Sequence, residues 1–375
     1  MAALFRLSLA TLVYIYVAYP LLVWLLARVF GREPMRGNAL PAVSLLLPVY
    51  NEEAHIEQKL RNSLALDYPK DKLEIVVASD GSVDRTNELV RRCAHQGVKL
   101  VAVRDNIGKS AILSRTVPLL RGEIVVFSDE TIELEPDALR RLVRHFADPR
   151  VGCVSGSYRL KPAGDVRSEG EGLYWRYEAA IKRQESRLHS ILGAHGPCYA
   201  IRKSLFRPLE RTLINDDYLI PMRVVAQGYR AVHDPEAITW ELELVSVEGE
   251  FARRRRIAAG NCQQIVELRR MLHPRHGWVA FCFFSHKVLR TLAPLLLLTL
   301  LLSSFWLPSP WNLMGLALQL ALYLSAVAGY WCQRRGHVVR WLSPPFYFSL
   351  GNLAMLAGLL RYCFSRNRFL WERAR

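Results

Sequence analysis

Three long stretches of the chain carry no charged residue: Leu7 to Ala27, Thr291 to Gln333, and Trp341 to Leu360. About 20 apolar residues suffice to cross a bilayer as a helix. The first and last stretches can each span once, and the middle one is long enough for two passes. The middle one is broken at "LPSPWN", where Pro308 and Pro310 favour a turn. Helices of a large soluble core rarely run so far without a charge. The first stretch is too long for a signal-peptide core, and no small-x-small cleavage site follows it. The chain divides into an N-terminal transmembrane helix over 1–30, a polar working domain over 31–285, and a C-terminal membrane region over 286–375. That last region holds about three apolar segments and a basic tail.

The formal charge of +16 at pH 7 invites a nucleic-acid reading. A membrane protein offers a simpler source, because cytoplasmic faces collect Lys and Arg. Arg28, Arg32 and Arg36 follow the first span, Lys287 and Arg290 precede the second, and Arg334, Arg335 and Arg340 follow the third. All of these fit a cytosolic working domain and no nucleic-acid partner. The tail does not fit: counting passes puts Arg361, Arg366, Arg368, Arg373 and Arg375 outside. Either the last segment does not fully cross, with Pro344–Pro345 helping it re-enter, or the rule fails here. The seven cysteines are scattered without a C-x-x-C pair, which argues against a zinc site and against a disulfide framework.

Within the polar region, strand-like and helix-like segments alternate. "AVSLLLPVYN", "LEIVVASD", "KLVAV" and "EIVVF" read as strands. The helices between and after them are "EEAHIEQKLRNSLAL", "DRTNELVRRCAHQ", "GKSAILSRTVPLL" and "PDALRRLVRHF". This spacing predicts parallel crossovers and a doubly wound α/β half. Ligands of such sheets gather at the carboxyl ends of the strands. The rule selects "PVYNEE", "SDGS", "RDNIGKS" and "SDET" for one crevice, with Glu52, Asp80, Lys109 and Asp129 on its rim. Acids plus a Lys suit a sugar nucleotide. Asp84 reads instead as a cap of the next helix. "NIGKS" is not a P-loop, because the required earlier Gly is Val103.

The second half is less regular. "EGLYWRYEAAIKRQESRLHS" reads as a long helix, and "INDDYLIPMRVVAQGYR" places Asp216 and Asp217 just before another, with Leu219, Met222 and Val225–Ala226 facing inward. Those acids suit a helix dipole and equally a general base at the crevice mouth. The four arginines of "EFARRRRIAAGNCQQI" suit a solvated or lipid-facing strip or phosphate binding. His233 reads as a polar strand end or as a metal or phosphate contact.

Seven segments in this order resemble the membrane-bound family 2 glycosyltransferases, the cellulose-synthase-like and poly-N-acetylglucosamine-synthase-like group. They are "VSLLLPVYNEE", "LDYPKDKLEIVVASDGSVDRT", "NIGKSAIL", "GEIVVFSDETIELEPDAL", "GAHGPCYAIRKSLF", "NDDYLIPMRVVAQGYR" and "RRRRIAAGNCQQ". The resemblance implies a GT-A fold, a UDP-sugar donor, Mg²⁺ or Mn²⁺, and inversion at the anomeric carbon. It implies a nucleoside site at Asp80 with Tyr50 and Glu52, a diphosphate-side cation at Lys109, and a metal ligand at Asp129. It implies a catalytic base at Asp217 and a phosphate contact at Arg256, with Arg253 opening the Q-x-x-R-W-like element. His195 faces the acceptor side by the same resemblance. Two positions depart from the pattern. Arg253 and Ile257 replace Gln and Trp, which weakens the case for a processive polymerase. Thr131 stands where Asp or Asn is usual, and strand alternation points Glu130 away from Asp129. The expected metal is held mostly by Asp129 and the diphosphate.

The expected activity is sugar transfer to a lipid-linked or growing polysaccharide acceptor, at the cytosolic face of a bacterial-type inner membrane. Its alternatives are a processive synthase, which needs an oligomer or export partner to move its polymer, and a catalytically inactive sugar-nucleotide sensor. A transporter is disfavoured, because no charge lies inside the spans.

Overall fold

The computed structural model describes residues 1–160, 167–210, 213–241, 247–335, 337 and 339–364, with side chains of 160 and 167–175 left aside. Eight strands form one mixed sheet in the order β3-β2-β1-β4-β7-β6-β8-β5. Its first four in chain order are β1 (Val43–Val49), β2 (Leu73–Asp80), β3 (Val98–Val103) and β4 (Ile124–Ser128). β1 pairs in parallel with β2 and β4, and β2 with β3. Their crossovers are α2 (Ile56–Leu64), α3 (Thr86–Arg92) and α4 (Lys109–Thr116). Alternation divides β1 between the two faces of the sheet. Leu45 and Leu47 pack with Ile56 and Leu60, while Leu46 packs with Ile112 and Leu113. All seven residues of β1 are buried, which explains its continuous apolar run.

Past β4 the sheet stops being doubly wound. β5 (Ile132–Leu134) is short, α5 (Ala138–Val143) follows it, and β6 (Val151–Leu160) pairs antiparallel with β7 (Cys198–Arg202). β7 also runs antiparallel to β4. β8 (Arg230–Glu241) pairs in parallel with β6 and antiparallel with β5. His233 is therefore not a strand end. The register jumps from Ser155↔His233 to Ser157↔Ile238, so "DPEA" forms an irregularity that takes Pro235 out of the ladder. The strand then resumes and carries Glu241 to the crevice.

Helix α6 (Arg167–Leu188) lies before β7, α7 (Asp216–Ala226) before β8, and α8 (Val247–Glu267) after it. In α7, Leu219, Met222 and Val225 are buried as the spacing predicts, whereas Ala226 is exposed. Three helices among the described residues are long and apolar enough to cross a membrane: α1 (Ala2–Val29), α9 (Trp278–Ser304) and α10 (Trp311–Arg334). Residues 305–310, within "LPSPWN" and the two residues before it, separate α9 from α10. The final helix, α11 (Ser343–Phe364), is not in that set. It lies along α8 so closely that a Cβ on Gly358 would sit 2.5 Å from the Ala258 methyl. On the other side, Tyr19, Val23 and Ala27 of α1 are fully buried in the same core as Tyr218 and Phe283. The Tyr19 hydroxyl donates to Glu185 of α6 at 2.6 Å. α1 and α9 thus share one core with the sheet domain.

Candidate active site

The crevice is built by loops that lock onto one another. Asn51, after β1, adopts a left-handed conformation with φ 54°. Its side-chain oxygen accepts the Val83 N–H at 2.9 Å, tying the first loop to the second. Gly81 has φ +73°, and a Cβ there would approach the Asn106 nitrogen to 2.6 Å, so only glycine lets the third loop pass. Asp80 is fully buried, and its two oxygens accept the N–H groups of Ile107 and Gly108, each at 2.8 Å. Its visible task is to hold the loop that delivers Lys109. Asp84 accepts the Thr86 N–H at 3.0 Å and the Glu53 N–H at 3.1 Å, consistent with a cap. Glu52 is buried, with its carboxylate 3.0 Å from His55, and Tyr50 is half-buried on the same loop.

Lys109 opens α4 and is the hub of the site. Its Nζ donates to Asp129 at 2.9 Å and lies 3.6 Å from Asp216. Burial alone would lower the ammonium, but the two carboxylates outweigh it and hold Lys109 above the ordinary lysine range. Asp216 is buried, and its Oδ2 has no hydrogen-bond partner among the described residues. Asp217, the next residue, is half-buried. Burial and the Asp216 charge push its carboxyl up to about 6, against the opposing pull of Lys109. Glycine at 196 makes room for it, since a Cβ would stand 2.7 Å from Asp217 Oδ2.

His195 and His233 are both buried, with rings 5.7 Å apart. Burial first, then the charge of Lys182, drives both imidazoles down, His233 to about 4. Both are therefore neutral near pH 7. Lys182 of α6 is buried itself and is pushed down to about 8 by burial and by Lys287. Its charge acts on Asp217 as well.

The rim behind Asp129 departs from the alternation expected of it. β4 ends at Ser128, so Glu130 lies in a turn, where the strand period has lapsed. Burial and the charges of Asp129 and Glu52 raise its carboxyl to about 7. Glu130 therefore belongs to the same acidic cluster. Thr131 hydrogen-bonds the carboxyl of Glu241, which also accepts from the Tyr158 hydroxyl at 3.1 Å. Glu241 is raised by burial, and the arginine that opposes this is Arg253. Arg253 of α8 thus reaches the crevice acids electrostatically. Arg256 is half-buried one turn further along the same helix.

Three residues in or beside this site carry weak sequence signals, and a fourth, Lys182, carries a clear one. Lys59 looks like one surface residue of an amphipathic helix, yet it is 2% exposed and donates to Ser128 and the Ile132 carbonyl, each at 2.7 Å. Glu130 follows a strand-like run whose period, carried past Ser128, points it away from Asp129. Glu241 follows a stretch whose Pro suggests a stop. Lys182 does have a signal: Glu178, Lys182 and Glu185 recur at i, i+4 and i+7, on the buried face shared with Ile181 and Leu188.

The mixed eight-stranded sheet, with the Lys–carboxylate hub at its strand ends, has the GT-A glycosyltransferase fold. A mannosyltransferase from Pyrobaculum calidifontis, solved with GDP-Man and Mn²⁺, superposes with a TM-score of 0.77. The match covers 97% of this chain and 100% of that one at 24% identity. Residues 44–209 match Glycosyl transferase family 2. The probable glycosyltransferase YdaM of Bacillus subtilis (strain 168) is 30% identical over 245 residues, 61% of this chain and 57% of YdaM. The poly-beta-1,6-N-acetyl-D-glucosamine synthase of Staphylococcus aureus (strain COL) is 27% identical over 229 residues, 60% of this chain and 55% of the synthase. The chain thus spans little more than half the length of these curated relatives.

Proposed function

We propose that the protein is an inverting glycosyltransferase that moves a sugar from a nucleoside diphosphate donor to an acceptor hydroxyl at a membrane face. One observation carries this reading: Lys109 bridges Asp129 and Asp216 beside Asp217, a carboxylate whose affinity for protons is raised toward neutrality. A phosphate-side cation and a tuned base thereby occupy one crevice. As the acceptor oxygen attacks the anomeric carbon, Asp217 takes its proton. The bond from that carbon to the diphosphate oxygen breaks, and its electron pair leaves with the nucleotide. Lys109 stabilises the charge that grows there. His195 and His233, neutral and buried, shape the wall behind Asp217.

The resident metal implied by the fold fits in a limited way. Among the described residues no three His, Cys, Asp or Glu are grouped to hold an ion. Asp129 is 30% exposed at its side chain and would supply one protein ligand, with Mg²⁺ or Mn²⁺ drawing further oxygens from the diphosphate. When bound, such an ion neutralises charge on the leaving diphosphate. We expect weak metal binding to the donor-free protein and much tighter binding once a sugar nucleotide is present. Calorimetry with Mn²⁺ reads this directly, and tight binding without donor would exclude the arrangement.

The donor reading is a UDP-N-acetylhexosamine, supported by the named activity of the Staphylococcus synthase; GDP-mannose, held by the Pyrobaculum enzyme, is the competing donor. Metal-dependent nucleotide release from a panel of UDP- and GDP-sugars decides between them. Release from none would favour the inactive sensor. The catalytic unit is taken as 31–285, facing the cytosol. If α1, α9 and α10 cross and α11 stays beside α8, the C-terminal end of α11 returns to the catalytic side. Arg361, in its last turn, then obeys the positive-inside pattern, while Arg366, Arg368, Arg373 and Arg375 lie outside the described residues. Three crossings are few for a polymer channel, so a processive reading would require an oligomer or an export partner.

Gly196→Ala tests the placement of the base. The new methyl must displace the Asp217 carboxylate, and a shift near 1 Å costs up to about 10²-fold in rate. Transfer should fall while donor affinity holds. Unchanged turnover would place the base elsewhere.

A further inference from the structure

Lys59 sits where packing asks for an apolar residue. The buried face of α2 is Ile56, Lys59, Leu60 and Ser63, and the Lys59 side chain is among the largest that are fully enclosed. Burying an ammonium is unfavourable unless hydrogen bonds and nearby anions offset it. Lys59 has both. Its Nζ donates to the Ser128 hydroxyl and to the Ile132 carbonyl, each at 2.7 Å. Ser128 ends β4 and Ile132 begins β5. Between them lie only Asp129, Glu130 and Thr131, so one ammonium joins the two ends of the acidic turn.

The attachment of β5 to α2 does not require that charge. Asn62, on the next turn of the same helix, donates to the Leu134 carbonyl and accepts the Leu134 N–H, each at 2.9 Å. A neutral amide thus holds the short strand. What Lys59 adds is a cation among acids. Burial drives its ammonium down to about 8, opposed by Cys198 and by the charges of Asp129, Glu130 and Glu133, so it keeps its proton near pH 7. Among the described residues no carboxylate forms an ion pair with it. Its hydrogen bonds go to a hydroxyl and a carbonyl instead. It therefore offsets the repulsion among the acids without occupying a carboxylate oxygen. Lys109, by contrast, binds the Asp129 carboxylate itself at 2.9 Å.

We propose that Lys59 is a positioning residue of the donor site, a buried counter-ion that clamps the ends of the Asp129–Glu130–Thr131 turn so that the turn stands formed before metal and nucleotide arrive. It acts through Asp129 and touches no substrate. A turn that had to be ordered on binding would weaken affinity. This rests on the transfer reading above, in which Asp129 meets the metal and the diphosphate.

The test uses the purified full-length chain in detergent. Mn²⁺ with UDP, and then Mn²⁺ with GDP, are the probes in calorimetry, and thermal unfolding of the same samples reports stability. Lys59→Met replaces the lysine stem with an apolar chain of similar length and removes the charge and both bonds. It should weaken nucleotide affinity at least ~10-fold in protein that is still folded. Asn62→Ala is the structural comparator: its melting temperature should fall while its nucleotide affinity holds. Ser128→Ala keeps the ammonium but removes one of its two acceptors. It should weaken affinity by a smaller factor, and it carries the test if Lys59→Met does not fold. Two results would overturn the assignment. One is wild-type affinity in folded Lys59→Met or, where that variant does not fold, in Ser128→Ala. The other is a loss in Asn62→Ala as large as in the Lys59 or Ser128 variant, which would reduce the lysine to ordinary scaffold. A wild-type chain that binds neither nucleotide would instead overturn the transfer reading itself, and this inference with it.

Discussion

Asp217→Asn is expected to abolish sugar transfer while leaving the donor Kd unchanged. The amide keeps the size of the carboxylate, and with it the fit against Gly196, but it cannot accept a proton. General-base catalysis contributes on the order of 10²–10⁴ in rate, so kcat should fall by that factor. The wild-type pH profile supplies a second readout. Asp217 acts only when ionised, and its carboxyl is raised to about 6. Activity should therefore rise with pH through that region. A group of ordinary acidity would already be ionised two units lower. If Asp217→Asn keeps more than a few per cent of wild-type turnover, or the acid limb lies near pH 4, Asp217 is not the base. The neighbouring residue gives a contrast. Asp216 is buried against Lys109, so Asp216→Asn should disturb donor binding and folding as well as turnover.

The parallel half of the sheet was legible because burial on both faces leaves uninterrupted apolar runs, as in Leu45–Val49 and Ile124–Phe127. The rule that ligands gather at strand ends then named Glu52, Asp80, Lys109 and Asp129 from spacing alone. Three of these converge more intricately than spacing can express. Asp80 holds the loop of Lys109, and Lys109 in turn holds Asp129. The antiparallel half resisted because its strands lack a clean period. β8 continues past "HDPE" only by breaking register with β6, and no local propensity reports a pairing partner some 80 residues away. Glu130 shows the opposite error, a periodicity extended two residues beyond the strand that supports it. α11 packs along α8, where Gly358 meets Ala258, a contact that an apolar stretch of spanning length does not report.

Lys109→Met is expected to damage the enzyme in two separable ways. The first is loss of the cation beside the leaving diphosphate, which should lower kcat on the order of 10²–10³. The second concerns the acids it now restrains. In the wild type the Lys109 charge pulls the Asp217 carboxyl down, against burial and the charges of Asp216 and Asp129. Removing it leaves only influences that favour the protonated acid, apart from the weaker pull of Lys182. The acid limb of kcat/KM, which reports the free enzyme, should therefore move to higher pH in the methionine variant. A merely structural lysine would lower activity equally at every pH. A uniform loss with the limb unmoved would separate Lys109 from Asp217, and a limb moved to lower pH would reverse the sign of their coupling. Lys109→Arg should restore the limb toward its wild-type position. It should recover turnover incompletely, because the wider guanidinium cannot occupy the narrow space between Asp129 and Asp216 as the ammonium does.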